Sequence, residues 1–444
     1  MPGLHEEVTF ESEVCTALAG AGWRYDAGDA QAYDRARALF VDDLVAWVQA
    51  SRPKAWEALS AQFGAAAAEK LADRLVQERA KRGTLDVLRH GIDLYPAKGT
   101  IPLAQFRPAF GANPEIIAHY QANRLRVVRQ VRYSKANENC IDLVLFLNGL
   151  PVATVELKTD FTQSVKDAVD QYKYDRHPAP KGQPPEPLLS FATGALVHFA
   201  VSTSEVMMTT RLAGAKTVFL PFNKGHGGGA GNPPGTFGYA TAYLWEEVWQ
   251  RDSWLEILGR YVVAEKDDKG VITKVIFPRY HQLDATRKLL AAVLQEGPGA
   301  KYLIQHSAGS GKTNSIAWSA HFLSELHDAN DQKLFSTVLV VSDRNVIDAQ
   351  LRDTLFQFQR TQGVVETITS DSGSKSGQLA QALKAGKKIV VCTIQTFPFA
   401  LEQVRELAAS AGKRFAVIAD EAHSSQTGEA AAKLKEVLSA EEVK

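Results

Sequence analysis

The eight residues HSAGSGKT (306–313) constrain this chain more than any other feature, because they follow an apolar run (302–304) and open a helical pattern. Strand, glycine loop and helix in that order is the context a phosphate loop requires. Gly309, Ser310 and Gly311 let backbone N–H groups curl around phosphate at a helix N-terminus, Lys312 can reach the β and γ phosphates, and Thr313 can ligate Mg²⁺. His306 is a departure, since a small residue is usual at the loop's first position. A second motif, DEAH (420–423), follows the apolar run 415–419. Asp420 is therefore expected at the carboxyl end of a buried strand, holding the Mg²⁺ that bridges the phosphates, with Glu421 polarising the attacking water. His423 by itself reads as a structural histidine. Between and around the motifs, strand-like runs alternate with helical patterns: KYLIQ (301–305), a helix from Lys312, STVLVVS (336–342), a helix from Val346, KIVVCT (388–393), a helix near Pro398, and FAVIAD (415–420). That alternation predicts a parallel sheet with helices on both faces, and ATP with Mg²⁺ as its ligands.

The first half has a different texture. From Glu11 to about Ala80 apolar residues recur at helical spacing (Val14, Leu18, Leu39, Leu44, Val48). Between Leu125 and Lys158 come β-branched runs, RVVRQVRYS, CIDLVLFL and PVATVELK, with Asn148-Gly149 between the last two, which predicts a strand and then a hairpin. The hairpin carries Asp142 on one arm and Glu156 and Lys158 on the other, in the order D, then E-x-K. Two carboxylates suit a hard divalent cation, and a lysine beside them can position or deprotonate the water that attacks a phosphodiester. Three surface charges on a strand would give the same letters. Glu156 and Lys158 project from one face; Asp142 shares it only if paired positions sum to an even number, which a two-residue turn does not give. An odd-length loop or a bulge is therefore predicted. Residues 163–174 look helical, and 178–187, with five prolines, must be irregular. ALVHFAVST and KTVFLPF predict two further strands. Residues 223–235, with six glycines, predict the most flexible stretch. Residues 245–263 read as one amphipathic helix, and the charged run 265–270 as a boundary, giving domains 1–264 and 265–444.

Four hundred and forty-four residues are too many for one ordinary core, and 45% hydrophobic with 23% charged residues is a soluble globular composition. Fifty basic residues against fifty acidic ones give no overall attraction to nucleic acid, so any such contact must be local. Cys15, Cys140 and Cys392 are widely spaced without CxxC, which fits neither a disulfide framework nor a zinc site and points to a reducing cytoplasm. No run approaches the length of a membrane span, so no membrane partner is expected.

The DEAH box with SAGSGKT resembles superfamily 2 helicases and translocases. There a glutamine ahead of the phosphate loop reads adenine, matching Gln282 in PRYHQLDATRKLL; VVSDRNVIDAQ and CTIQTF resemble motifs that face the nucleic-acid strand, so Arg344, Gln350 and Thr396 are either DNA contacts or surface and capping residues. The Asp142, Glu156 and Lys158 set resembles the PD-(D/E)xK nucleases. NENCIDLVLFLNGLPVATVELK resembles in particular the restriction subunit of type I restriction-modification enzymes, and the likeness continues through GNPPGTFGYATAYLWEEVWQRDSWLEIL, QHSAGSGKT and DEAHSSQTG. It implies an α/β fold: a PD-(D/E)xK endonuclease-like domain, then a RecA-like doubly wound parallel-sheet domain. It further implies Mg²⁺ on Asp142 and Glu156, double-stranded DNA as substrate, and methyltransferase and specificity subunits as partners. Many relatives add a Q-x-x-x-Y element, but Tyr174 falls three residues after Gln171, not four; Glu11 is the candidate for an N-terminal glutamate near the metal. The sequence given stops 24 residues after Asp420, so a second RecA-like lobe is expected to be missing and the chain to be the N-terminal part of a longer one. The rival expectations are a helicase-nuclease of DNA repair or another defence system, and a non-catalytic DNA-docking module whose carboxylates are structural.

Overall fold

The structure is a computed structural model that describes residues 7–107, 113–161, 163–235, 238–342, 349–358, 363–368 and 375–420. It divides into two compact units, the first running to Tyr280 and the second from His281.

The first unit opens with helices, as the apolar spacing predicts: α1 (Glu7–Gly20), α2 (Val41–Ser51), α3 (Pro53–Phe63), α4 (Ala67–Arg82), α5 (Thr84–His90) and α6 (Pro114–Ala122). A six-stranded sheet follows, in chain order across its width: β1 (Leu125–Arg132), β2 (Cys140–Leu147), β3 (Leu150–Leu157), β4 (Val197–Val201), β5 (Val206–Thr209) and β6 (Leu220–Pro221). Neighbours are antiparallel except β3 and β4, which run parallel because α7 (Val165–Tyr174) supplies the crossover. Every residue of β3 is buried, and each large aliphatic side chain so covered contributes roughly 1.5–3 kcal/mol. α7 starts on a reciprocal cap between Ser164 and Asp167 and buries Val165, Ala168, Val169 and Tyr172 on one side.

The hairpin is fixed from outside the sheet. Asn148 and Gly149 form a two-residue turn with positive φ at both positions (49° and 83°). Asn148, fully buried, accepts from the Arg124 N–H (2.6 Å) and donates to the Leu103 carbonyl and Asn123 Oδ1, both at 2.9 Å. Gly149 lies against the start of α2, its carbonyl accepting from Phe40 N–H at 2.9 Å. From α2 the fully buried Asp43 takes Arg124, just before β1, and Arg126, within it, at 2.7 and 2.6 Å. Burial alone would raise its pKa, but the two guanidinium bonds outweigh burial and hold it below the usual carboxylate range.

Three expectations for this unit change. The run 245–263 is not one helix: π-helical turns at Leu244–Val248 and Ile257–Tyr261 flank the short α8 (Arg251–Glu256). Its tryptophans and aliphatics are buried at successive positions, such as Trp254-Leu255 and Ile257-Leu258, so no single helical face could hold them all. The glycine-rich loop 223–235 is pinned: Asn232 accepts from the Lys224 N–H at 2.8 Å, and Gly225 N–H donates to the Gly231 carbonyl at 2.8 Å. The unit also runs past 264. The hairpin β7 (Val263–Lys266) and β8 (Ile272–Ile276) belongs to it, because buried Phe277 packs its ring on Phe199, Phe222 and Trp254.

The second unit begins with α9 (Tyr280–Glu296), whose first residue still belongs to the first unit, and α10 (Lys312–Ser324). Then come β9 (Thr337–Ser342), α11 (Ala349–Gln357), β10 (Val365–Thr367), α12 (Lys375–Lys384), β11 (Ile389–Thr393), α13 (Phe397–Ala411) and β12 (Phe415–Ala419). The four strands form a parallel sheet in the order β10-β11-β9-β12, with α10 packed on β9, β11 and β12. This is the alternating, doubly wound arrangement expected, with one correction. KYLIQ is not a strand: residues 301–305 take no strand conformation and Leu303 is 85% exposed. An apolar run becomes a strand only with a neighbour to bond, and none of the described strands pairs with it.

Candidate functional site

The strand pairing brings Asp142 and Glu156 together. Near the turn the partners are Leu147 with Leu150 and Phe146 with Pro151, an odd sum. A bulge between Leu145 and Phe146 shifts the register, so that Leu145 faces Ala153 and Leu143 faces Val155, an even sum. One further step sets Asp142 against Glu156 on a common face. The predicted bulge is present.

Asp142 and Glu156 are 7% and 0% exposed. Asp142 accepts from the Leu157 N–H at 2.8 Å through Oδ2. Glu156 Oε1 accepts from Arg176 Nε at 2.6 Å, while its Oε2 is buried with no hydrogen-bond partner. Burial, and then the charge of Asp142, push the Glu156 carboxyl well above its ordinary range. Lys158, 7% exposed, donates to Glu7 of α1 at 2.5 Å. Burial disfavours its charge, but the bond to Glu7 and the field of Asp142 outweigh it, so it is held as an ammonium.

Glu11 joins this group from α1. Gln130 donates to Glu11 Oε1 at 2.7 Å and reaches Asp142 Oδ1 at 3.4 Å, and Arg129 holds Glu11 Oε2 at 3.0 Å. Burial and then Asp142 raise the Glu11 pKa to about 7. Gln130 takes a left-handed backbone (φ 50°) within β1, a strained conformation for a residue with a Cβ. Gln130, Arg129, Arg176 and Glu7 escaped sequence reasoning, because polar letters that serve a partner far along the chain carry no local signature. Among the described residues no three His, Cys, Asp or Glu side chains gather as a metal cage. What the residues do offer a divalent cation is a pair of hard carboxylates, one with an unsatisfied buried oxygen. Magnesium, which keeps several of its waters and takes one or two carboxylates, fits such a pair.

Beside Lys158 lies an open cleft of about 320 Å³ lined also by Gln163, Asp167, Asp170, Gln171, Tyr174 and Asp175. Gln171 and Tyr174, three apart on α7, reach it together despite the irregular spacing, and Gln171 Oε1 is buried without a partner.

In the second unit Gly309 and Gly311 both take positive φ (73° and 82°), and Gly311 caps α10, whose first residues are Lys312 and Thr313. Ser310 is buried. Gln282, 2% exposed, donates its amide to the carbonyls of Ser310 and Gly311 at 3.2 and 3.0 Å. Asp420 directly follows β12, its N–H bonded to the Val341 carbonyl at 2.9 Å, at the carboxyl edge where open α/β sheets bind ligands. Thr396 is buried and hydrogen-bonded to Thr393 at 3.1 Å, a local capping geometry. Glu421, His423 and Arg344 lie outside the described residues.

Fold and site together define a PD-(D/E)xK endonuclease-like domain followed in one chain by a RecA-like nucleotide-binding lobe. Residues 4–217 match the family of the type I restriction enzyme R protein N terminus, and residues 281–443 match the SWI2/SNF2 ATPase family. A type I restriction enzyme endonuclease subunit of Methanocaldococcus jannaschii (MjaVIIIP) is 24% identical over 310 residues, 66% of this chain and 26% of its own length. The HindI endonuclease subunit of Haemophilus influenzae is 26% identical over 322 residues, 70% of this chain and 28% of its own. The chain is thus similar to the N-terminal part of type I restriction endonuclease subunits, and it spans about a quarter of the length of these relatives.

Proposed function

We propose that the first unit cuts double-stranded DNA with Mg²⁺ and that the second binds ATP for DNA translocation, within a complex that includes methyltransferase and specificity subunits. The observation that carries the nuclease reading is the bulge that sets Asp142 opposite Glu156, beside Lys158. Asp142 and Glu156 hold the metal, which when bound polarises phosphate and acidifies water. Lys158, leaving Glu7, orients the attacking water and offsets charge on the phosphodiester. Glu11 and Gln130 keep Asp142 in place. In the second unit Gly309, Ser310 and Gly311 cradle phosphate, Lys312 reaches the terminal phosphates, Thr313 and Asp420 take the nucleotide's Mg²⁺, Glu421 activates water, and Gln282, which also holds the loop carbonyls, reads adenine. The complex works in the cytoplasm, where DNA and ATP are. Among the described residues no helix is long and apolar enough to cross a membrane.

The test is a cleavage assay with the complete complex on plasmid DNA. Lys158→Ala is expected to abolish cutting, by at least about 100-fold, while ATP hydrolysis continues. Lys312→Ala is expected to abolish both, because cutting in the complex follows translocation. Undiminished cleavage in Lys158→Ala would refute the nuclease assignment, and co-purification without a methyltransferase would favour a repair or other defence enzyme.

A further inference from the structure

We propose that His281, paired with His306, is a positioning residue for the phosphate loop: it holds the Ser310 carbonyl so that the following N–H groups face an incoming phosphate. This rests on the nucleotide-site reading above and explains the departure at the loop's first position. His281 Nε2 lies 3.0 Å from the Ser310 carbonyl, and since a carbonyl only accepts, Nε2 carries the proton and donates. The next residue, Gln282, donates to the same carbonyl and to that of Gly311. One turn of α9 therefore holds two successive loop carbonyls. In a trans peptide the C=O and the N–H point in opposite directions, so turning these carbonyls toward α9 turns the Gly311 and Lys312 N–H groups away from it. Those are the donors that a helix N-terminus presents to an anion.

His306 completes the brace. Its ring meets that of His281 edge to face, with centroids 5.0 Å apart and planes at 89°. The small residue usual at this position would leave the His281 ring without that edge-to-face contact. Gly311 is part of the fit, because a Cβ there would stand 2.5 Å from Gln282 Nε2.

The experiment titrates the full chain, with Mg²⁺, with a fluorescent methylanthraniloyl-ADP, following affinity and melting temperature. His281→Leu is expected to bind about five- to tenfold more weakly, the value of roughly one hydrogen bond. His281→Gln, whose amide can donate from the place of Nε2, is expected to stay within about twofold of the native chain. His306→Gly is expected to weaken binding, and His281→Leu/His306→Gly to be no weaker than His281→Leu, because the two histidines act as one device. Native affinity in both His281→Leu and His306→Gly, with binding lost in Lys312→Ala, would overturn the brace alone. Equal weakening in folded His281→Gln and His281→Leu would overturn the donor role. Native affinity in Lys312→Ala would remove the nucleotide site and the brace with it.

Discussion

His198, on β4, is buried beside Thr154, whose hydroxyl bonds its Nδ1 at 2.7 Å. Burial lowers its pKa from 6.5 to about 3. Between those values the unfolded chain binds a proton that the folded chain refuses, so stability is fully present above the unfolded pKa and falls as pH drops from 6.5 towards 3. Denaturant titration should show the first unit losing about 2 kcal/mol on this account between pH 7.5 and 5, a loss missing from His198→Gln. Equal pH slopes in the two proteins would contradict it. At this scale the sequence discloses the groups proposed to carry chemistry and hides those that hold them. Asp142, Glu156, Lys158 and the phosphate loop are legible because their types and spacing are the chemistry. Arg176 on Glu156 and Gln130 between Glu11 and Asp142 are not, since each is defined by a neighbour that only the folded chain supplies.

Among the elements, the hairpin turn bears most directly on the site, because it sets the register of both carboxylate strands. A Cβ at Gly149, where φ is 83°, would lie 2.3 Å from the Phe40 carbonyl. Gly149→Ala is therefore expected to destabilise the first unit by at least about 2 kcal/mol, through strain in a left-handed residue and displacement of α2. A melting temperature unchanged by that substitution would show that the turn is not clamped. The bulge itself was legible, since side chains alternate with period two and parity admits few solutions. The strand at 301–305 was misread, because apolar letters cannot say whether a neighbouring strand exists. The run 245–263 was misread for a related reason: burial on every side gives no stripe from which to read the helix period.

For the molecule as a whole, the division falls after Tyr280, whose ring packs on Phe222 and Tyr243, and not in the charged turn at 265–270. Charge runs mark exposed turns, and this one joins the two strands of a hairpin. A polypeptide ending at Tyr280 is expected to melt as one cooperative unit, whereas one ending at Ala264 loses Phe277 from its core and about 3 kcal/mol or more. Equal melting temperatures for the two would place the boundary where the charge run suggested. Asp142 and Glu156 are proposed to share one metal site, and calorimetric titration of Mn²⁺ into the nucleotide-free chain reads that site out. Asp142→Asn and Glu156→Gln are each expected to remove the same binding event while Lys312→Ala leaves it intact; native stoichiometry and affinity in both carboxylate variants would mean that no such site exists.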